Sequence, residues 1–282
     1  MANPGTKIKR RKSLYRRAKD DEKFQSLLTV IMPLMLAMII LILWQTERLH
    51  TFLGTDSFTL PMPGKIVNIF IENIQKIGEN TWATLTVAFI GLIVGSLLGY
   101  IVAVLAVLFP GTMKGGVTVI GAFASIPVVA LAPVMNNWTK DVSDSAPIRS
   151  MVSKIVVVSL IAAANMILNA YRGLYELKPY SEDLMSTYAA GKMKTLFKLR
   201  LPNSVPYIFT ALKVSVPASV MTTIVSEYFA EYITGVGRQI RENIVLAQYS
   251  TAWAYIMTAC IIGIISYAVL MLVQTITLRR YK

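Results

Sequence analysis

Cysteine and histidine occur once each in 282 residues, as Cys260 and His50. A lone thiol closes no intrachain disulfide, and one imidazole beside one thiol is too little for a protein-built metal site. The same shortage leaves no material for a serine–histidine or cysteine–histidine nucleophile pair. A phosphate-cradling G-x-x-x-x-G-K-[ST] loop is missing, so the chain is not expected to hydrolyse ATP, and no catalytic residue, metal or cofactor is assigned to it. Acidic residues are also scarce: 15 Asp and Glu against 28 Lys and Arg give a net charge of +13. Nucleic acid is not the expected partner, because no aromatic interleaving or folded basic face accompanies the basic tail.

Apolar residues fill the space those absences leave. They make up 55% of the chain, and the mean hydropathy of +0.56 lies above that of a soluble domain. At about 1.5 Å per residue, a helix needs about 20 residues to cross a hydrocarbon core of about 30 Å. Uncharged runs cover Phe24–Thr46, Asn80–Met113, Gly115–Thr139, Ile155–Tyr171 and Asn243–Leu278. Pro202–Ala230 is a sixth, interrupted by Lys213 and Glu227. Six crossings put both termini on one side. With the amino terminus inside, nineteen basic residues lie inside and eight outside, and the excess of Lys and Arg sets that orientation.

Residues 1–26 form a basic tail, with a short interfacial helix expected around Leu14–Phe24. Leu27–Thr46 has full spanning length and no A-x-A cleavage site, which predicts an uncleaved first helix. In the outer loop 50–80, Ile66, Ile69, Phe70, Asn73 and Ile77 suggest a surface helix. The second span carries Gly91, Gly95 and Gly99, a doubled G-x-x-x-G that lets two membrane helices approach closely. Pro127 and Pro133 predict a kinked third span beside a transport path, followed by an outer loop over 137–150. Cys260 reads as a small packing residue.

The fifth span is unlike the others. Only thirteen uncharged residues separate Lys213 from Glu227, too few for a span facing lipid. With Pro217, Ser215, Ser219, Thr222, Thr223 and Ser226 it suits a bundle interior beside a cavity. Pro127, Pro133, Ser219, Thr222, Thr223 and Glu227 are therefore candidate path residues. Glu227 alone is as well explained by capping or snorkelling.

Lys178–Ser219 holds the longest polar, basic connector. Leu184, Tyr188 and Met193 recur near helical spacing among Asp183, Lys192 and Lys194, which predicts a short amphipathic helix. Leu201–Pro202 is read as its stop. This stretch resembles the EAA loop of binding-protein-dependent ABC importer permeases. Counted back from Leu201–Pro202, Asp183 falls where that family has Glu, Leu184 and Met185 where it has two alanines, and Ala189 where it has Gly. Leu196–Lys213 is similar to the nitrate, sulfonate, taurine and thiamine-precursor branch, as are the L-P-x-P of the outer loop and Gly121–Trp138.

The resemblance implies an all-α bundle of six transmembrane helices, the type I (MetI-like) ABC importer permease fold. Residues 27–282 would form the permease domain, with a coupling loop over 173–203. It further implies a plasma or inner-membrane location and a second permease subunit, more simply a second copy than a different chain. Two ATPase subunits, carrying the ATP and magnesium, would dock on the loop, and an extracytoplasmic solute-binding protein would deliver substrate. Asp183, Ala189, Ala190, Gly191, Lys192, Leu201 and Pro202 are then the coupling residues, the small ones permitting close approach of a partner. A secondary transporter using Glu227 as proton carrier, and a non-transporting scaffold, stay open from the residues alone. The topology has a direct check: cysteines at Asp56, Asp144 and Gly235 should react with an impermeant thiol reagent on intact cells. One at Lys192 should not, and its labelling would reject the arrangement.

Overall fold

The computed structural model describes residues 22–230 and 232–279, and its regular elements there are all helical. The tail and the interfacial helix expected near Leu14 lie outside the described residues up to position 21. The chain divides into two units, one ending at Lys65 and one running from Ile66 to the carboxyl end.

In the first unit, α1 (Glu22–Gln45) carries Pro33 and passes into α2 (Arg48–Leu53) through Glu47, whose φ is 61°. Short polar contacts hold the stretch between α2 and the next helix. The Gln45 side-chain oxygen accepts the Gly64 N–H at 3.0 Å, and His50 Nε2 meets the Leu60 carbonyl at 2.5 Å. Asp56 accepts both the N–H and the hydroxyl of Thr59, and these bonds hold its carboxyl below the usual carboxylate range. The helix α3 (Pro63–Glu72) contains the division between the units.

The second unit is built around α7 (Ala146–Tyr175). Its neighbour α4 (Ile74–Leu108) lays Gly91, Gly95 and Gly99 against it. A Cβ on Gly95 would sit 2.3 Å from the Ser159 carbonyl oxygen, and one on Gly99 2.5 Å from that of Ala163. Hydrogen is all that fits. Next come α5 (Pro110–Ala122) and α6 (Val128–Trp138), then α10 (Leu201–Tyr228), α11 (Val236–Val245) and α12 (Tyr249–Leu278). One apolar cluster centres on Ala103, Met166, Ile167, Leu174 and Ala211; a second, towards the other end, on Ile77, Ala88, Val220, Val236 and Tyr255.

Several boundaries move. Among the described residues five helices are long and apolar enough to cross a membrane, and a bent pair makes a sixth if counted as one span. That pair is the third span, and it is broken by 101°. The break falls at Ile126–Pro127, both extended, because a residue before proline disfavours the helical region. Pro133 lies inside α6 without breaking it. The second span starts at Ile74, taking in Ile77 from the expected surface helix. The outer loop shrinks, since α6 runs to Trp138 and α7 starts at Ala146. Lys154, one of the eight basic residues counted outside and the residue just ahead of the fourth uncharged run, is therefore helical and buried. Cys260 faces outward instead of packing.

The glycine contacts separate two substitutions of similar size. Gly95→Leu forces its side chain into the α7 backbone and should cost about 3 kcal/mol, with a matching fall in melting temperature of the purified protein in detergent. Gly263→Ala meets nothing within 4 Å and should be neutral or stabilise by up to about 1 kcal/mol. Equal melting of the two variants would contradict the α4–α7 contact.

Candidate functional site

The segment after α7 is fastened at its base. Arg200 donates to the Leu174 carbonyl at 2.8 Å and pairs with Glu182. Asn203 donates to the Gly173 and Glu176 carbonyls at 2.8 and 3.1 Å. The start of α10 thus satisfies carbonyls that the end of α7 leaves free. Between these clasps lie α8 (Ser181–Thr187) and α9 (Lys192–Thr195). Two left-handed residues bracket α8: Tyr180 with φ 63° and Ala189 with φ 48°.

Ala189 closes a Schellman turn, its N–H bonding the Ser186 carbonyl and that of Ala190 the Met185 carbonyl, at 2.8 and 3.0 Å. The turn gives Ala189 a local reason to be small. Gly191 has φ −65°, and a Cβ there would meet open space. Asp183 and Lys192 are exposed, as are the apolar side chains of Tyr180, Leu184, Tyr188, Met193 and Phe197. Met185, Ala190, Lys192 and Arg200 line a cleft of about 340 Å³ against Val107, Leu108 and Pro110.

Leu201–Pro202 does not stop the helix, as the sequence had suggested; it opens α10. A π turn over Leu196–Arg200 joins α9 to α10, with the Leu201 N–H reaching the Leu196 carbonyl. Pro202 falls in the first turn of α10, where a missing N–H is cheap. The single amphipathic helix expected over 183–200 is accordingly two: α8, and the start of a continuous helix from Lys192 to Tyr228.

A polar cluster occupies the far end of α10. Glu227 is 0% exposed. Thr84 donates to both of its carboxylate oxygens at 3.0 Å, and the Gly237 N–H to Oε2 at 2.9 Å. Beside it, Asn80 accepts the Gly235 N–H at 2.9 Å and Thr84 that of Val236 at 3.0 Å. Three successive backbone donors at the start of α11 thus each find a side chain on α4 or α10. Gly235 has φ 98°, and a Cβ there would lie 2.2 Å from Glu227 Cδ. A cysteine label in this turn therefore belongs at Tyr232 rather than Gly235.

Thr222 and Thr223 are buried beside Glu227, with the Thr223 hydroxyl on the Ser219 carbonyl at 2.8 Å. Ser219 alone of the six path candidates lines a cavity of about 740 Å³, with a mostly apolar wall from α4, α10 and α12 and Met166 of α7. Pro127 is exposed and Pro133 half-buried, and neither lines that cavity. Sequence reading missed Asn80, Thr84, Lys154 and Asn203. Asn80 and Thr84 had one available signal, a spacing of four that puts both on one helix face.

Residues 95–282 match the family of binding-protein-dependent transport system inner membrane components. The chain belongs to this family. It is a permease subunit of an ABC importer, a transport component and not an enzyme. The formylaminopyrimidine transport permease protein ThiX of Halalkalibacterium halodurans is 25% identical over 247 residues, 87% of this chain and 94% of its own length. A probable ABC transporter permease protein of Haemophilus influenzae is 26% identical over 207 residues, covering 71% and 77%. Among solved structures, the inward-facing MetNI methionine ABC transporter superposes with a TM-score of 0.54 at 17% identity, over 70% of this chain and 95% of that one. At that identity the likeness is one of fold, the type I permease bundle.

The left-handed Ala189 distinguishes two substitutions in this permease. Ala189→Gly removes a backbone penalty of about 1 kcal/mol and should slow limited proteolysis between Ser181 and Lys192. Ala189→Val, branched at Cβ, should speed it. Equal cleavage of the two variants would argue against the turn.

Proposed function

We propose that the permease takes its drive from separate ATPase subunits through the Asp183–Arg200 segment. The observation that carries this reading is that Tyr180, Leu184, Tyr188, Met193 and Phe197 all expose apolar side chains on a segment clamped at its base. Exposed apolar patches mark contact surfaces. A helix held in one geometry by two left-handed residues suits the transmission of force better than a loose connector does. Asp183 and Lys192 would fall at the edge of the contact. Two copies of the chain, two ATPase subunits binding ATP and magnesium, and an extracytoplasmic binding protein form the expected assembly. The basic tail and the 176–200 segment would then lie in the cytoplasm with both termini. Differential affinity of the ATPase for two arrangements of the bundle would drive alternate opening.

The substrate we infer is a small, neutral heteroaromatic solute. The resemblance of Leu196–Lys213 to the thiamine-precursor branch supports it, as does the formylaminopyrimidine named for the relative from Halalkalibacterium halodurans. The buried cation Lys154 does not line the apolar cavity, and its neighbour Ser153 is linked through Asn136 to the chain just past Glu227, which weighs against a site for a sulfonate or nitrate anion. Family membership leaves the ion-driven and scaffold readings without support.

Copurification tests the coupling. An ATPase expressed from the same operon should come down with the wild-type permease and be lost when Asp183–Lys194 is replaced by a Gly/Ser linker. Equal recovery would refute the docking assignment. For the substrate, the binding protein of that operon should bind a pyrimidine and not taurine or nitrate; the reverse selectivity would refute the solute class.

A further inference from the structure

Neither the loop nor the apolar cavity uses two chargeable side chains, one basic and one acidic, that are buried in the bundle. Lys154, on α7, is 4% exposed; Glu227, on α10, is fully buried. Charged groups inside membrane spans are costly and are tolerated chiefly where they find one another. The polar contacts around these two run between the same elements. Ser153, the neighbour of Lys154, donates to Asn136 Oδ1 at 2.6 Å. The Asn136 amide donates in turn to the Phe229 carbonyl at 2.9 Å, two residues beyond Glu227. The end of α10 is thereby tied to α7 at the level of Lys154. The two charges do not touch; what relates their positions is the Ser153–Asn136–Phe229 chain of hydrogen bonds. Glu227 meanwhile spends its hydrogen bonds on Thr84 and on the Gly237 N–H.

We propose that Lys154, on α7, is the counter-ion of Glu227, and that the pair holds the first turn of α11 against α4 and α10. Three features make the arrangement specific. The carboxylate faces the amino-terminal end of a ten-residue helix, where the backbone dipole favours negative charge. Glycines at 235 and 237 keep the approach open: a Cβ at Gly237 would lie 1.9 Å from the Ile224 carbonyl oxygen, and one at Gly235 would strike Glu227 itself. Lys154 supplies the positive charge that a backbone N–H and a threonine hydroxyl, both neutral donors, do not. Lys154 and Glu227 are positioning residues for α11, not contacts to a solute. The inference is independent of what the permease carries or which protein drives it.

A mutant cycle tests it on the full-length chain in detergent. Cys260→Ser removes the native thiol, and Gln239→Cys places a new one on the buried side of α11. In that background, Lys154→Met and Glu227→Gln each strand the opposite charge. Each should speed modification of the introduced thiol by a maleimide about tenfold, with a lower melting temperature. The double variant strands neither, and both readouts should return more than halfway to the parent. If the two effects multiply in the double variant, the groups act independently and the proposal is wrong. It is equally overturned if Lys154→Met labels at the parental rate, as expected of a lysine that merely snorkels to the surface. Should the single variants fail to accumulate in the membrane, the yield of the double variant decides: recovery supports the pair and continued loss refutes it. No ATP or solute enters either readout, so failure here is distinct from failure of the coupling assignment.

Discussion

The fold depends on one contact, the backbone of α4 lying almost on the backbone of α7. Lipid tails are as apolar as leucine, so membrane helices gain little by hiding apolar side chains from them. Association rests on close packing, and close packing needs small residues along the contact. Gly91, Gly95 and Gly99 supply it from α4, meeting Val158, Ser159, Ala162, Ala163 and Met166. The Ser159 hydroxyl bonds the Gly91 carbonyl at 3.2 Å across the same seam. With α7 thus fixed, other helices pack on its remaining faces. Gly121 brings α5 onto Leu168, and Gly173 of α7 makes room for Tyr207 of α10.

Helix ends pose the opposite problem, since their unpaired backbone groups need partners away from bulk water. The permease meets it twice with side chains at the two ends of the continuous Lys192–Tyr228 helix. Arg200 and Asn203 satisfy carbonyls at the end of α7, and Glu227 satisfies an N–H at the start of α11. One end receives donors and the other an acceptor, as the polarity of each helix terminus demands. Asn80 and Thr84 complete the second clasp from α4. Both clasps join elements that the connecting chain alone would leave free to swing.

The number of apolar runs, the glycine stripe and the burial of Ser219, Thr222, Thr223 and Glu227 were legible in the sequence. Each is a statement about composition along one helix. What escaped reading depends on a second element. Lys154 looked like an outer-loop residue because the uncharged run was begun after it, yet a charge can sit inside a span when another helix brings its counterpart near. Asn80 and Thr84 were read as the edge of a span, because nothing local says that the Gly235–Gly237 turn returns to meet them. Cys260 looked like packing material, but small size does not say which face of α12 it occupies. Pro127 and Pro133 illustrate the same limit. Both were expected to bend one helix; the extended pair Ile126–Pro127 took the whole bend and left Pro133 in regular structure.

The misreading of Pro202 has the largest mechanical consequence. A proline cannot donate, and in mid-helix its ring strikes the carbonyl four residues back, so a stop was the natural expectation. The π turn over Leu196–Arg200 changes the register just before it. The last N–H ahead of the proline, that of Leu201, bonds five residues back to Leu196, and Pro202 enters as a residue of a first turn. Lys192–Tyr228 is therefore one helix of 37 residues, about 55 Å long at 1.5 Å per residue. A stopped helix would leave a flexible joint between the exposed α8–α9 segment and the bundle. A continuous one lacks that joint: the exposed turn at Lys192 and the buried end at Glu227 belong to one element, within which Pro206 and Pro217 each remove a backbone donor. Arg200 and Asn203 tie its lower part to the end of α7, and Tyr207 packs on Gly173 of α7 a turn further on.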